Sequence, residues 1–70
     1  MFEIHTDDEF DIVLAQRDSI VAALACAEQI AGECLRHLLA NGEGHGRYQF
    51  WLAIRDMATG ENVAWAVIGA

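Results

Sequence analysis

The stretch from Ser19 to Asn41 constrains this chain more than any other, because its apolar spacing admits one regular structure. Ile20, Leu24, Ala27, Ala31, Cys34 and Leu38 follow alternating steps of four and three, which lines them along one side of an amphipathic helix. Asp18 stands where a side-chain oxygen caps the free N–H groups of a first turn. Arg36 and His37 fall near the C-terminal end, where the helix dipole favours cations, and Asn41-Gly42 supplies a left-handed stop. Beside the stripe, Ala23, Ala27 and Ala31 recur every fourth residue, a spacing that lets the helix backbone approach a neighbouring layer closely. Gly32 costs about 1 kcal/mol relative to alanine inside a helix, so a close approach is expected there too.

A helix of this length needs a layer to cover its stripe, and the flanking segments read as strands. Phe2-Glu3-Ile4-His5-Thr6 alternates apolar and polar, and Asp7-Asp8-Glu9 is a turn by composition. Phe10, Ile12 and Leu14 form one face of a second strand; a short helix opened by the capping box Thr6-x-x-Glu9 is the alternative. An unbroken helix from Glu9 to Ala40 is disfavoured, since it would turn Glu9 and Gln16 onto the apolar stripe and run for about 48 Å.

Beyond the helix, Gly42-Glu43-Gly44-His45-Gly46 reads as a flexible connection. Tyr48, Phe50, Leu52 and Ile54 then alternate with Arg47, Gln49, Trp51, Ala53 and Arg55. Met57-Ala58-Thr59-Gly60 is a turn whose glycine takes positive φ, and Asn62 to Ile68 returns as a strand. Pairing Asp56 with Glu61 sets Ile54 opposite Val63, Leu52 opposite Trp65 and Phe50 opposite Val67, gathering the large apolar side chains beneath the helix. The expected fold is a single α+β domain over residues 1–70, of two layers. An antiparallel three- or four-stranded sheet, ββαββ or βαββ, carries one long helix packed on one face.

In that register the far side of the hairpin holds Trp51 opposite Ala66, Ala53 opposite Ala64, and Gln49 opposite Ile68, rimmed by Arg47, Arg55 and Asn62. An apolar patch facing away from the helix marks an interaction surface, unless a terminal segment folds over it. Trp51, Ala53, Ala64, Ala66 and Ile68 are the expected interface residues, with a homodimer or another protein as the partner. A chain of 70 residues buries only about 60% of its unfolded surface, and small domains often lean on a partner chain.

Charge excludes other partners. The net charge of −7, the absence of lysine and the scatter of Arg17, Arg36, Arg47 and Arg55 argue against nucleic acid and anionic membranes. Cys26 and Cys34 share one helix with a rise of roughly 12 Å between them, too far for a disulfide. The acidic start lacks a secretory signal, and no apolar run approaches the ~20 residues of a membrane span. A reduced, soluble, cytoplasmic protein is expected.

No residue set announces catalysis. Cys34, His37, His45 and Glu43 offer metal-ligand chemistry without paired ligand spacing, and the stripe claims Cys34 for the core. Cys26 sits mid-helix, facing away from the stripe near Glu28, where nothing activates a thiol. The glycine run follows a helix C-terminus, the wrong end of the dipole for phosphate. Asp7, Asp8, Glu9 and Asp11 lack calcium-loop spacing and read as a solvated turn. The expectation is a non-enzymatic interaction module with no catalytic, cofactor-binding or metal-ligating residue. The alternatives are an acidic nucleic-acid mimic that blocks a basic partner, and a small-molecule or metal site between helix and hairpin near Cys34, His37 and Tyr48.

Phe2-x-Ile4-His5-x-Asp7, Ala22-Ala23, Leu38-Leu39-Ala40-x-Gly42 and Trp51-x-Ala53-Ile54-x-Asp56-x-x-x-Gly60-x-x-Val63 appear in sequence order. In this the chain resembles a family of short, uncharacterised bacterial proteins with a strand–helix–hairpin layout. The resemblance implies that fold and carries no activity with it.

Overall fold

The computed structural model describes residues 1–40 and 49–69. Its elements are β1 (Phe2–Thr6), β2 (Val13–Arg17), α1 (Ile20–Ala40), β3 (Gln49–Asp56) and β4 (Asn62–Gly69). The strands form one antiparallel sheet in the order β2-β1-β3-β4, with α1 against all four on one face. This is the α+β architecture that the alternation and the helical stripe imply, in its ββαββ form. The glycine run, Glu43, His45 and Tyr48 lie outside the described residues.

Helix α1 starts one residue later than the capping carboxylate of Asp18 would place it. Ser19 is the cap: its Oγ accepts the Ala22 N–H at 3.1 Å, while its carbonyl accepts the Ala23 N–H at 3.0 Å. The helix is closest to the sheet along Ala23, Ala27, Ala31 and Leu35. The three alanines are at most 1% exposed, so their spacing does bring the backbone close to the sheet. Two members of the expected stripe, Ile20 and Cys34, are exposed instead. Ile20 is the first residue of α1, and Cys34 borders an open hollow beneath the C-terminal half of the helix. Cys26, expected to face outward, is half-buried and packs against the core. Gly32 has nothing within 4 Å of where a Cβ would sit, so close packing does not explain it.

The second strand exists but begins at Val13, and Phe10 and Ile12 lie in the loop before it. Thr6 staples that loop at both ends, donating its N–H to the Ile12 carbonyl and accepting the Ile12 N–H on Oγ1, each at 2.9 Å. Asp8 Oδ1 accepts from the Thr6 hydroxyl and from the N–H groups of Phe10 and Asp11. Asp11 takes φ of 47°, a left-handed conformation that a short polar side chain tolerates.

The terminal hairpin turns where its sequence says it should. The Asp56 N–H donates to the Glu61 carbonyl at 2.8 Å, and Gly60 adopts φ of 76°. Arg55 pairs with Asn62, as expected, but Ile54 then pairs with Ala64. Val63 is the extra residue of a β-bulge, and every position beyond it changes face. Leu52 therefore stands opposite Ala66 and Phe50 opposite Ile68, while Val63, Trp65 and Val67 leave the helix side.

The core explains why the bulge is preferred. Alanine occupies the closest positions of α1; β1 and β3 meet them with Ile4, Leu52 and Ile54, and β4 meets them with small side chains. Ala64 and Ala66 fit there; Trp65 would hold the layers apart. The buried cluster unites Ile4, Leu52, Ile54 and Ala66 with the three helix alanines, and Ile4 and Ile54 are the largest fully buried side chains.

Candidate functional site

The sheet face turned away from α1 carries the most distinctive surface. Across its middle the pairing places His5 of β1 beside Ala53 of β3, and Ala53 beside Trp65 of β4. One step along, Trp51 pairs with Val67. Trp51 is 53% exposed, Trp65 49%, Val67 46% and Val63 43%. Among the described residues no second layer covers this row.

Next to the apolar row lies a polar network that composition alone did not reveal. His5 is 3% exposed, and its Nδ1 lies 2.9 Å from both the Thr6 carbonyl and Asp11 Oδ1. Its Nε2 lies 2.7 Å from Asn62 Oδ1, a position the amide nitrogen reaches if that side chain turns over. Arg55 donates to both carboxylate oxygens of Asp11, at 2.7 and 2.8 Å, and to Glu3 Oε1 at 3.4 Å. Its guanidinium holds its proton more firmly than an ordinary arginine, chiefly through the hydrogen bond to Asp11. Partial desolvation opposes this, and the charges of Asp11 and Glu3 add to it. Trp65 Nε1 donates to Asp7 Oδ2 at 3.2 Å, tying the indole to the β1–β2 loop.

These contacts give the acidic loop a structural task. Asp7 and Asp11 are not only solvated: one orients Trp65, the other joins His5 to Arg55 and pins the loop over the sheet. The left-handed turn at Asp11 brings the carboxylate back to the sheet, and nothing in the order Asp-Asp-Glu-Phe-Asp signals that return. Every buried side-chain polar atom among the described residues has a partner.

Of the expected interface residues, Trp51 stands on the outer face and is exposed. Ala53 shares that face but is fully covered, lying between His5 and Trp65. Ala64, Ala66 and Ile68 belong to the helix side and pack in or against the core, because the bulge at Val63 reverses the parity assumed for them. Val63, Trp65 and Val67 take their places on the outer face. Their β-branched and aromatic character suits a strand on either face, so only the inserted residue distinguishes the two registers.

A second feature lies beneath the end of α1. Glu33, Cys34, His37, Leu38 and Phe50 border an open, almost wholly apolar hollow of about 410 Å³. Cys34 and His37 therefore border the same hollow as Phe50 of the hairpin, and Tyr48 lies outside the described residues. Among the described residues, no three His, Cys, Asp or Glu side chains converge as metal ligands do. No described helix is long and apolar enough to cross a membrane. Comparison with protein families, curated proteins and solved structures finds no match to this chain.

Proposed function

We propose that this chain is a non-enzymatic interaction module that associates with a second copy of itself through the outer side of its C-terminal hairpin, centred on Trp65. The observation that carries this reading is the row Trp51, Val63, Trp65 and Val67, each close to half exposed on the sheet face opposite α1. Two tryptophans on one open face, Trp51 paired with Val67 and Trp65 with Ala53, bring the residue type most enriched at interface cores and hot spots.

The thinness of the fold's own core supports the same reading. Among the described residues, thirteen large apolar side chains are exposed, while Ile4, Leu35, Leu52 and Ile54 are the large ones buried. Full burial of such a side chain contributes about 1.5–3 kcal/mol, and the alanines that complete the core contribute much less. A domain this small gains stability from a partner chain. Nucleic-acid mimicry is less well supported, since Asp11 and Glu3 are engaged by Arg55 and Asp7 by Trp65.

Light scattering at low micromolar concentration, combined with tryptophan emission, tests the proposal. A dimer is expected, with emission that shifts to longer wavelength on dilution as the indoles become solvated. A monomer with solvent-relaxed emission at every concentration refutes self-association.

A further inference from the structure

The sheet has two edges, and they are built differently. At the β2 edge the strand is five residues long and its register with β1 slips between Ile4 and His5. Arg17 lies at its end, with Nη1 donating to the Gln16 carbonyl at 2.6 Å. Short length, a bulge and a charged side chain that occupies a backbone acceptor are the usual means of keeping an edge from pairing.

The β4 edge shares only the bulge, and that only at its start. It is eight residues long, its irregularity is confined to the start at Val63, and from Ala64 to Gly69 it pairs regularly with β3. Its sequence, Asn-Val-Ala-Trp-Ala-Val-Ile-Gly, holds no ionisable residue and no proline. Every other strand carries an ionisable residue: Glu3 and His5 in β1, Arg17 in β2, Arg55 and Asp56 in β3. In a chain of net charge −7, two copies repel each other, and uncharged β4 is where that repulsion is weakest. Among the described residues nothing pairs with its outer side.

We infer that β4 pairs edge to edge with β4 of a second copy, antiparallel about a two-fold axis near Trp65, so that the two sheets become one. This deepens the self-association reading and rests on it. A two-fold axis perpendicular to the sheet keeps both helices on one side and both outer rows on the other. It sets Trp65 beside its counterpart and Val63 beside the second copy's Val67. These are the aromatic and β-branched cross-strand pairs that stabilise antiparallel ladders. The unpaired N–H and C=O groups of β4 find partners in the same step.

Edge pairing and face-to-face stacking differ in their demand on Trp51, which stands on β3, one strand in from the edge. Wild type, Trp51→Arg and Trp65→Lys are compared by sedimentation, and wild-type amide exchange is followed against concentration. Trp51→Arg is expected to remain dimeric. Trp65→Lys, which holds two ammonium groups opposite each other, is expected to weaken association about tenfold or more. Alternate amides of β4 should gain protection as concentration rises, a readout that holds even if Trp65→Lys folds poorly. If Trp51→Arg abolishes the dimer and β4 amides exchange equally at all concentrations, edge pairing is overturned while self-association stands. A wild-type monomer at every concentration overturns both.

Discussion

The parity of β4 can be tested with one carboxylate placed on either side of the strand. Ala66 is 4% exposed and packs in the same cluster as Ala23, Ala27 and Ala31, so Ala66→Asp puts a charge among apolar side chains. The effective penalty for an unpaired buried ion is several kcal/mol, and forcing extra atoms between closely packed layers adds about 1–3 kcal/mol. A domain of 70 residues has a total stability of roughly 3.5–10 kcal/mol, so this substitution should remove most or all of it. Val67 is 46% exposed on the opposite face. Val67→Asp forfeits about half of a valine's burial and some strand preference, together about 1–2 kcal/mol. Urea unfolding followed by far-UV circular dichroism, at dilutions that keep the protein monomeric, reads the difference. Val67→Asp should lower the midpoint by about 1–2 M, taking a slope near 1 kcal/mol/M, and Ala66→Asp should be largely unfolded without urea. The opposite order would place Val67 under the helix and refute the bulge.

Two further substitutions probe the helix. Gly32→Ala meets no obstruction and removes backbone freedom from the unfolded chain, so it should stabilise by about 0.5–1 kcal/mol and raise the melting temperature by several degrees. A drop in melting temperature would mean that Gly32 does have a packing role. Ser19→Ala should cost about 1 kcal/mol by chemical denaturation and Asp18→Ala much less, because Ser19 caps the first turn; equal losses would return Asp18 to that role.

Much of the architecture was legible because it depends on short-range periodicity. The step of three and four identified α1, the alternation in Phe2–Thr6 and Gln49–Asp56 identified strands, and Gly60 marked the turn. The recurrence of alanine at every fourth position even announced the close approach of helix to sheet. The candidate surface was legible only in part. Trp51 and Ala53 precede the bulge's influence on β4 and were placed on the correct face, whereas Ala64, Ala66 and Ile68 were assigned to the face they avoid.

What the sequence determined by itself, then, is the set of elements, their order and the sharp turn at Gly60, since each follows from residues close together in the chain. What only the tertiary structure decided is which side of β4 meets the helix and where the acidic loop goes. An alternating strand carries apolar residues on both faces here, so pattern cannot choose between them; the choice falls to the alanine surface of α1, which accepts Ala64 and Ala66 and leaves no room for Trp65. The loop is settled in the same way, by a left-handed Asp11 whose carboxylate meets His5 and Arg55. These are residues far apart in the chain, and their distance from one another has no trace in local sequence.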